Sequence, residues 1–166
     1  CGSSSVQSLA ITTSLLQVAT FNYTSSPYCS NAPDPLPEFS GGGVAGTFSS
    51  TSGLVFVSTA TGQVDLDAGT PGTYTITNTI APVGGCPLIT ATSSITIDEA
   101  PFIVCTSSAT ENGAGSLTLD AIASAGVISW YDSPAGGSLL GTGTSFTTPV
   151  LNTTTTYYAE AVANGC

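Results

Sequence analysis

The stretch "TYTITNTI" alternates without a break: Tyr74, Ile76, Asn78 and Ile80 fall on one side, and Thr73, Thr75, Thr77 and Thr79 on the other. A period of two puts successive side chains on opposite faces of an extended strand, so one face is buried and hydroxyls line the other. A helix, with 3.6 residues per turn, cannot satisfy that pattern. Ile95 and Ile97 in "SSITI" repeat it, as do Leu117, Leu119 and Ala121 in "SLTLDAI", and Ile128 and Trp130 in "VISWYD". Turn-forming runs separate these segments: "GGGVAG", "TATGQ", "AGTPG", "VGGCP", "SPAGG" and "GTGT". Short strands at this spacing, with no stretch that keeps a helical period, predict an all-β, antiparallel sandwich architecture.

Serine and threonine supply about fifty of the 166 residues and charged residues only 6%. Such polarity can accompany disorder, but 41% of the chain is hydrophobic and its β-branched and aromatic residues are evenly spread, so a core can form. The length suits two sandwiches of about 80 residues each. A boundary falls at "IDEAPF", where Asp98, Glu99 and Pro101 interrupt two strand-like runs.

Lysine, arginine and histidine are absent, and the formal charge is −10. No side-chain ion pair and no histidine switch can therefore operate. Nucleic acid is excluded as a partner, because phosphate neutralisation needs Lys or Arg, and an anionic bilayer surface is disfavoured for the same reason. No apolar run approaches the ~18 residues of a membrane span. Trypsin-like proteases find no basic cleavage site, which suits a protein working outside the cell.

Catalysis has little to draw on. Hydroxyls abound, but a serine nucleophile needs a His or Lys base. Close carboxylate pairs are confined to Asp65 with Asp67 and Asp98 with Glu99, a thin basis for glycoside hydrolysis. Zinc ligation lacks both histidine and a C-x-x-C pair. Calcium would need more than the two acids of "DEAP", and no D-x-D-x-D-G run occurs. The expectation is a non-enzyme with no cofactor and no metal site. Asn22 and Asn152 begin N-glycosylation sequons, a weak three-residue signal.

Five widely spaced cysteines, Cys1, Cys29, Cys86, Cys105 and Cys166, read as disulfide partners in an oxidising setting. Each half carries one near its start and one near its end, which predicts bridges Cys29–Cys86 and Cys105–Cys166. Each would close a loop of roughly 60 residues, worth about 4 kcal/mol in the chain-entropy model. Cys1 is left over.

The segment "SPYCSNAPDPLPEFSGGGVAGTFSSTSGLVFVSTATGQVDLDAGTPGTYTITNTIAPVGGCPLITATSSITI" resembles the Ig/PKD-like repeats of giant surface adhesins from gliding Bacteroidetes-type bacteria. That likeness covers residues 21–97. The segment "ISWYDSPAGGSLLGTGTSFTTPVLNTTTTYYAEAVANGC" is similar to the neighbouring Ig-like module of such proteins, over residues 102–166. The resemblance implies two tandem Ig-like antiparallel β-sandwich domains, 16–99 and 100–166, in a protein of the cell surface. The complete loss of Lys and Arg departs from such repeats. Within the second module, Leu151 and Tyr157 have the spacing of a tyrosine corner. Trp130 is expected on a central strand against the core.

The expected role is thus a structural repeat of an extracellular filament or adhesin stalk, with copies of itself as partners. Two alternatives stand beside it: a module binding surface glycans, for which Tyr23, Tyr28 and Tyr131 are the candidate aromatics, and a lipoprotein acylated at Cys1. In the tandem reading the second module lacks its last strand and receives it from the next repeat; alternatively, separate subunits meet in the same way, each giving its first strand to its predecessor. Residues 1–15, through Val6, Leu9 and Ile11, would supply that strand to the preceding repeat, and Cys1 would bond to that repeat's Cys105 or duplicate its Cys166.

Overall fold

A computed structural model describes residues 17–82 and 87–166, and among them only strands, turns and irregular segments occur. Eight strands precede the "IDEAPF" junction: β1 (Phe21–Asn22), β2 (Tyr28–Cys29), β3 (Glu38–Phe39), β4 (Thr47–Ser50), β5 (Val55–Ser58), β6 (Gln63–Asp65), β7 (Gly72–Ile80) and β8 (Ile89–Asp98). Six follow it: β9 (Ile103–Thr106), β10 (Thr118–Ala123), β11 (Val127–Tyr131), β12 (Leu139–Thr142), β13 (Ser145–Thr147) and β14 (Tyr158–Val162). They form a four-stranded sheet ordered β2-β8-β7-β4, the pairs β1-β3 and β5-β6, and the three-stranded sheets β13-β10-β9 and β12-β11-β14. The chain is all-β, as the alternation requires.

By contacts the described residues group into two compact units. One takes in the described parts of Cys1–Thr24, Pro35–Asp65 and Tyr74–Ser94, and the other comprises Ser25–Asp34, Leu66–Thr73 and Ile95–Cys166. This grouping cuts across a simple division at residue 100.

In the first unit the alternating strand β7 behaves as its sequence dictates. Tyr74, Ile76, Asn78 and Ile80 are all buried, and the threonines between them are not. Phe48 packs edge-to-face on Phe21 with ring centroids 5.2 Å apart, an orientation favoured by the ring quadrupoles. Gly62, at φ +76°, lets the chain pass that ring: a Cβ there would sit 2.9 Å from Phe48. Asn78 is fully buried and saturated. Its Nδ2 donates to Ala19 O (3.0 Å) and Val44 O (2.9 Å), and its Oδ1 accepts from Gly46 N–H (2.8 Å). A polar side chain is tolerated in this core because every one of those bonds is made.

In the second unit, residues 25–34 run beside the far end of β8. β2 pairs parallel with it, Tyr28 opposite Ile97 and Cys29 opposite Asp98. The backbone N–H of Thr96 donates to Ser26 Oγ at 2.8 Å, and that of Ala100 to Ser30 Oγ at 3.1 Å. Beyond the junction, two antiparallel sheets bury a shared core. Ala121, Ile128 and Trp130 form its centre, with Ile103, Leu119, Phe146 and Ala159 against them. Trp130 lies on the central strand β11; its Nε1 donates to Gly143 O at 2.9 Å, which satisfies the indole while the ring stays buried. Phe146 stacks on Trp130, and Tyr157 packs edge-on to Phe146, with centroids 5.7 and 5.2 Å apart.

The cysteine expectation needs correction. Cys29 is bonded to Cys166, 137 residues away, rather than to Cys86, and Cys105 is a free, exposed thiol rather than the partner of Cys166. Two causes are visible. The parallel pairing of β2 with β8 carries Cys29 to the level of Asp98, where β8 ends, so placement near the start of a half says little about its neighbours. On β9 a register shift separates the pair Ala123–Ile103 from the pair Ile122–Cys105. Ile103 packs on the core, whereas Cys105 stands opposite the exposed Ile122, because an extra residue inverts the alternation. Cys86 lies outside the described residues, as do Cys1, Val6, Leu9 and Ile11.

Candidate functional site

Among the described residues no three His, Cys, Asp or Glu side chains come together in a way that could hold a metal ion. The features with chemical potential are two concavities and one strand edge, all in the second unit.

One concavity, of about 530 Å³, lies between the loop around Glu111 and Gly113 and the segment Asn152–Thr155. Its floor is closed by reciprocal backbone bonds between Gly115 and Leu151, 3.1 and 2.8 Å long. Glu111 is its sole carboxylate, no aromatic lines it, and Asn152 of the second sequon opens into it.

The other, also about 530 Å³, is built on the outer face of β11 and β14. Trp130 points inward, so Tyr131 points outward, and the pairing sets Tyr131 directly opposite Tyr158. Glu160 shares the β14 face with Tyr158, two residues on. The loop from β11 to β12 forms the far wall through Ser133, Gly136 and Gly137. Asp132 organises that loop: its Oδ1 accepts the Ser138 N–H at 2.7 Å, and Ser133 Oγ donates to Ala135 O at 3.3 Å. Gly137 fits only because it lacks a Cβ, which would lie 2.8 Å from Asp132 Oδ1.

The three aromatics expected at a surface have different fates. Tyr23 is buried, and its hydroxyl donates to Gly62 O, so it is a core residue and not a binding platform. Tyr28 is half-buried, with its hydroxyl accepting the Ser25 N–H at 3.3 Å. Tyr131 lines the concavity on β11 and β14. Sequence reasoning missed Tyr158 and Glu160. The alternation in "YYAEAV" puts Tyr158, Glu160 and Val162 on one face, but the register against β11 was needed to set them beside Tyr131.

β14 is an outer strand of its sheet among the described residues. After it, Ala163 and Cys166 exchange both backbone bonds, 3.0 and 2.7 Å, around Asn164 (φ +52°) and Gly165 (φ +84°). Positive φ at both central residues is the type I′ hairpin turn, for which Asn-Gly is the favoured sequence. The turn aims Cys166 back along β14 and presents its sulfur to Cys29.

Two antiparallel sheets with β9, β10 and β13 facing β11, β12 and β14 around a buried tryptophan define an immunoglobulin-like sandwich. Residues 99–166 match the family model described as Ig-like domain, CHU_C associated. No curated protein matches the chain.

Proposed function

We propose that the chain is a non-catalytic structural module of an extracellular filament or adhesin stalk on a bacterial surface, built from repeats of itself. The observation that carries this reading is that β14 is an outer strand of its sheet among the described residues, an edge along which a strand of another copy can pair. The Ig-like match over residues 99–166 and the disulfide Cys29–Cys166 favour an oxidising, extracellular setting. The lack of any basic side chain removes trypsin-like cleavage sites, which fits exposure outside the cell.

In this reading the segment carrying Cys1, Val6, Leu9 and Ile11 serves a neighbouring copy by adding a strand along its β14, and main-chain hydrogen bonds provide the affinity. Sedimentation velocity tests it. The intact chain should associate in a concentration-dependent way, and deletion of residues 1–13 should leave a monomer. An intact chain that stays monomeric at every concentration refutes the self-assembly reading.

A further inference from the structure

The concavity on the outer face of β11 and β14 is not used by the structural role. We propose that it binds a neutral, hexose-based glycan, with sugar-ring C–H faces lying on Tyr131 and Tyr158 and hydroxyls donating to the Glu160 carboxylate. Residues directly opposite on adjacent antiparallel strands project from the same face, so the two half-buried tyrosines form a strip. A strip suits the flat, partly apolar face of a pyranose and has polar ring edges within reach.

Other ligand classes fit less well. Anions meet Glu160 and a chain without any cationic side chain. A quaternary ammonium favours aromatic faces on several sides, whereas here both tyrosines come from the one sheet face and the far wall is Ser133, Gly136 and Gly137. That wall offers backbone groups and a hydroxyl, which a glycan can use. The volume of about 530 Å³ lies within the usual range for small-molecule sites. The Asp132–Ser138 and Ser133–Ala135 bonds fix the loop beforehand, which lowers the ordering cost of binding.

The test titrates the intact chain with neutral hexaoses of glucose, mannose and galactose, and with tetramethylammonium, while backbone amide shifts are followed by NMR. At least one hexaose should shift residues 131–137 and 158–160, with a Kd of about 1 mM or tighter. Tyr131→Ala and Tyr158→Ala should each weaken it about tenfold, and Tyr28→Ala should leave it unchanged. The buried Trp130 emission reports that each variant is folded; should Tyr158→Ala fail there, the wild-type shift map and Tyr131→Ala carry the test. Four results overturn the proposal: no hexaose shifts these amides, the shifts fall elsewhere, the folded tyrosine variants bind as wild type, or tetramethylammonium binds more tightly than every sugar.

Discussion

Asn78 is the position where a single substitution should cost the first unit most for its size. Replacing it by leucine keeps the branched four-atom shape, with methyls bulkier than the amide atoms, but strips partners from Ala19 O, Val44 O and Gly46 N–H, which its amide meets at 3.0, 2.9 and 2.8 Å. Each orphaned buried group costs about 1–3 kcal/mol, with carbonyls at the low end, so the three together cost about 4–5 kcal/mol. Burying the leucine carbons returns about 1.5 kcal/mol. The net loss is about 3 kcal/mol, which moves a urea midpoint by about 1.5 M at a slope near 2 kcal/mol per M. Circular dichroism under non-oxidising, non-reducing conditions measures that midpoint. Asn78→Asp supplies a second readout. A carboxylate there would face two carbonyl oxygens in a chain with no basic side chain, so burial raises its folded pKa above the unfolded value near 4. The variant's penalty relative to wild type should therefore be smaller near pH 4 and grow as pH rises toward 7. A midpoint shift of less than about 0.5 M for Asn78→Leu, equivalent to under about 1 kcal/mol, would refute the accounting.

Peptide mapping without reductant, using a protease that cuts at aromatic or acidic residues, should recover Cys29 joined to Cys166; recovery of Cys105 joined to Cys166 would contradict the structure. The double variant Cys29→Ser, Cys166→Ser should lose about 5 kcal/mol by the chain-entropy relation for a separation of 137 residues, read as a lowered denaturant midpoint. Gly126→Ala should destabilise the second unit, because Gly126 has φ +78° and a Cβ would lie 2.1 Å from Val162 O. A cost of about 3 kcal/mol, or about 15 °C in the melting temperature followed by Trp130 emission, is expected, and an unchanged melt would be inconsistent with that contact. Added salt should stabilise the whole chain, since ten carboxylates repel one another without compensating cations; a melting temperature independent of ionic strength would count against this.

The strands were legible wherever alternation was strict. β7 is the clearest case: the residues read as inward-facing from "TYTITNTI" are the buried ones, including Asn78, although nothing in the sequence says which carbonyls that amide meets. Trp130 and Ile128 were legible for the same reason. The cysteines were not, because pairing depends on which strands are neighbours and on one register shift in β9, and neither leaves a local sequence signal. The outer-face site was half legible. Tyr131 could be singled out as an aromatic next to a turn, but its pairing with Tyr158 is a non-local fact of register. Tyr23 misled because an aromatic beside the exposed Asn22 reads as surface until its hydroxyl is seen bonded across the fold to Gly62.

The Cys29–Cys166 bond also sets how this chain answers mechanical load. Pulled between Cys166 and a residue before Cys29, the polypeptide transmits tension through two sulfur atoms, and the chain between the cysteines, a sequence separation of 137, is shielded from it. Fully extended, a stretch of that length would add about 450–490 Å of contour. While the bond stands, none of that length is released, so a strained molecule holds its span as a tether of fixed reach. A reductant converts it into a long extensible one, and the size of that step is the quantity a single-molecule stretching trace would record.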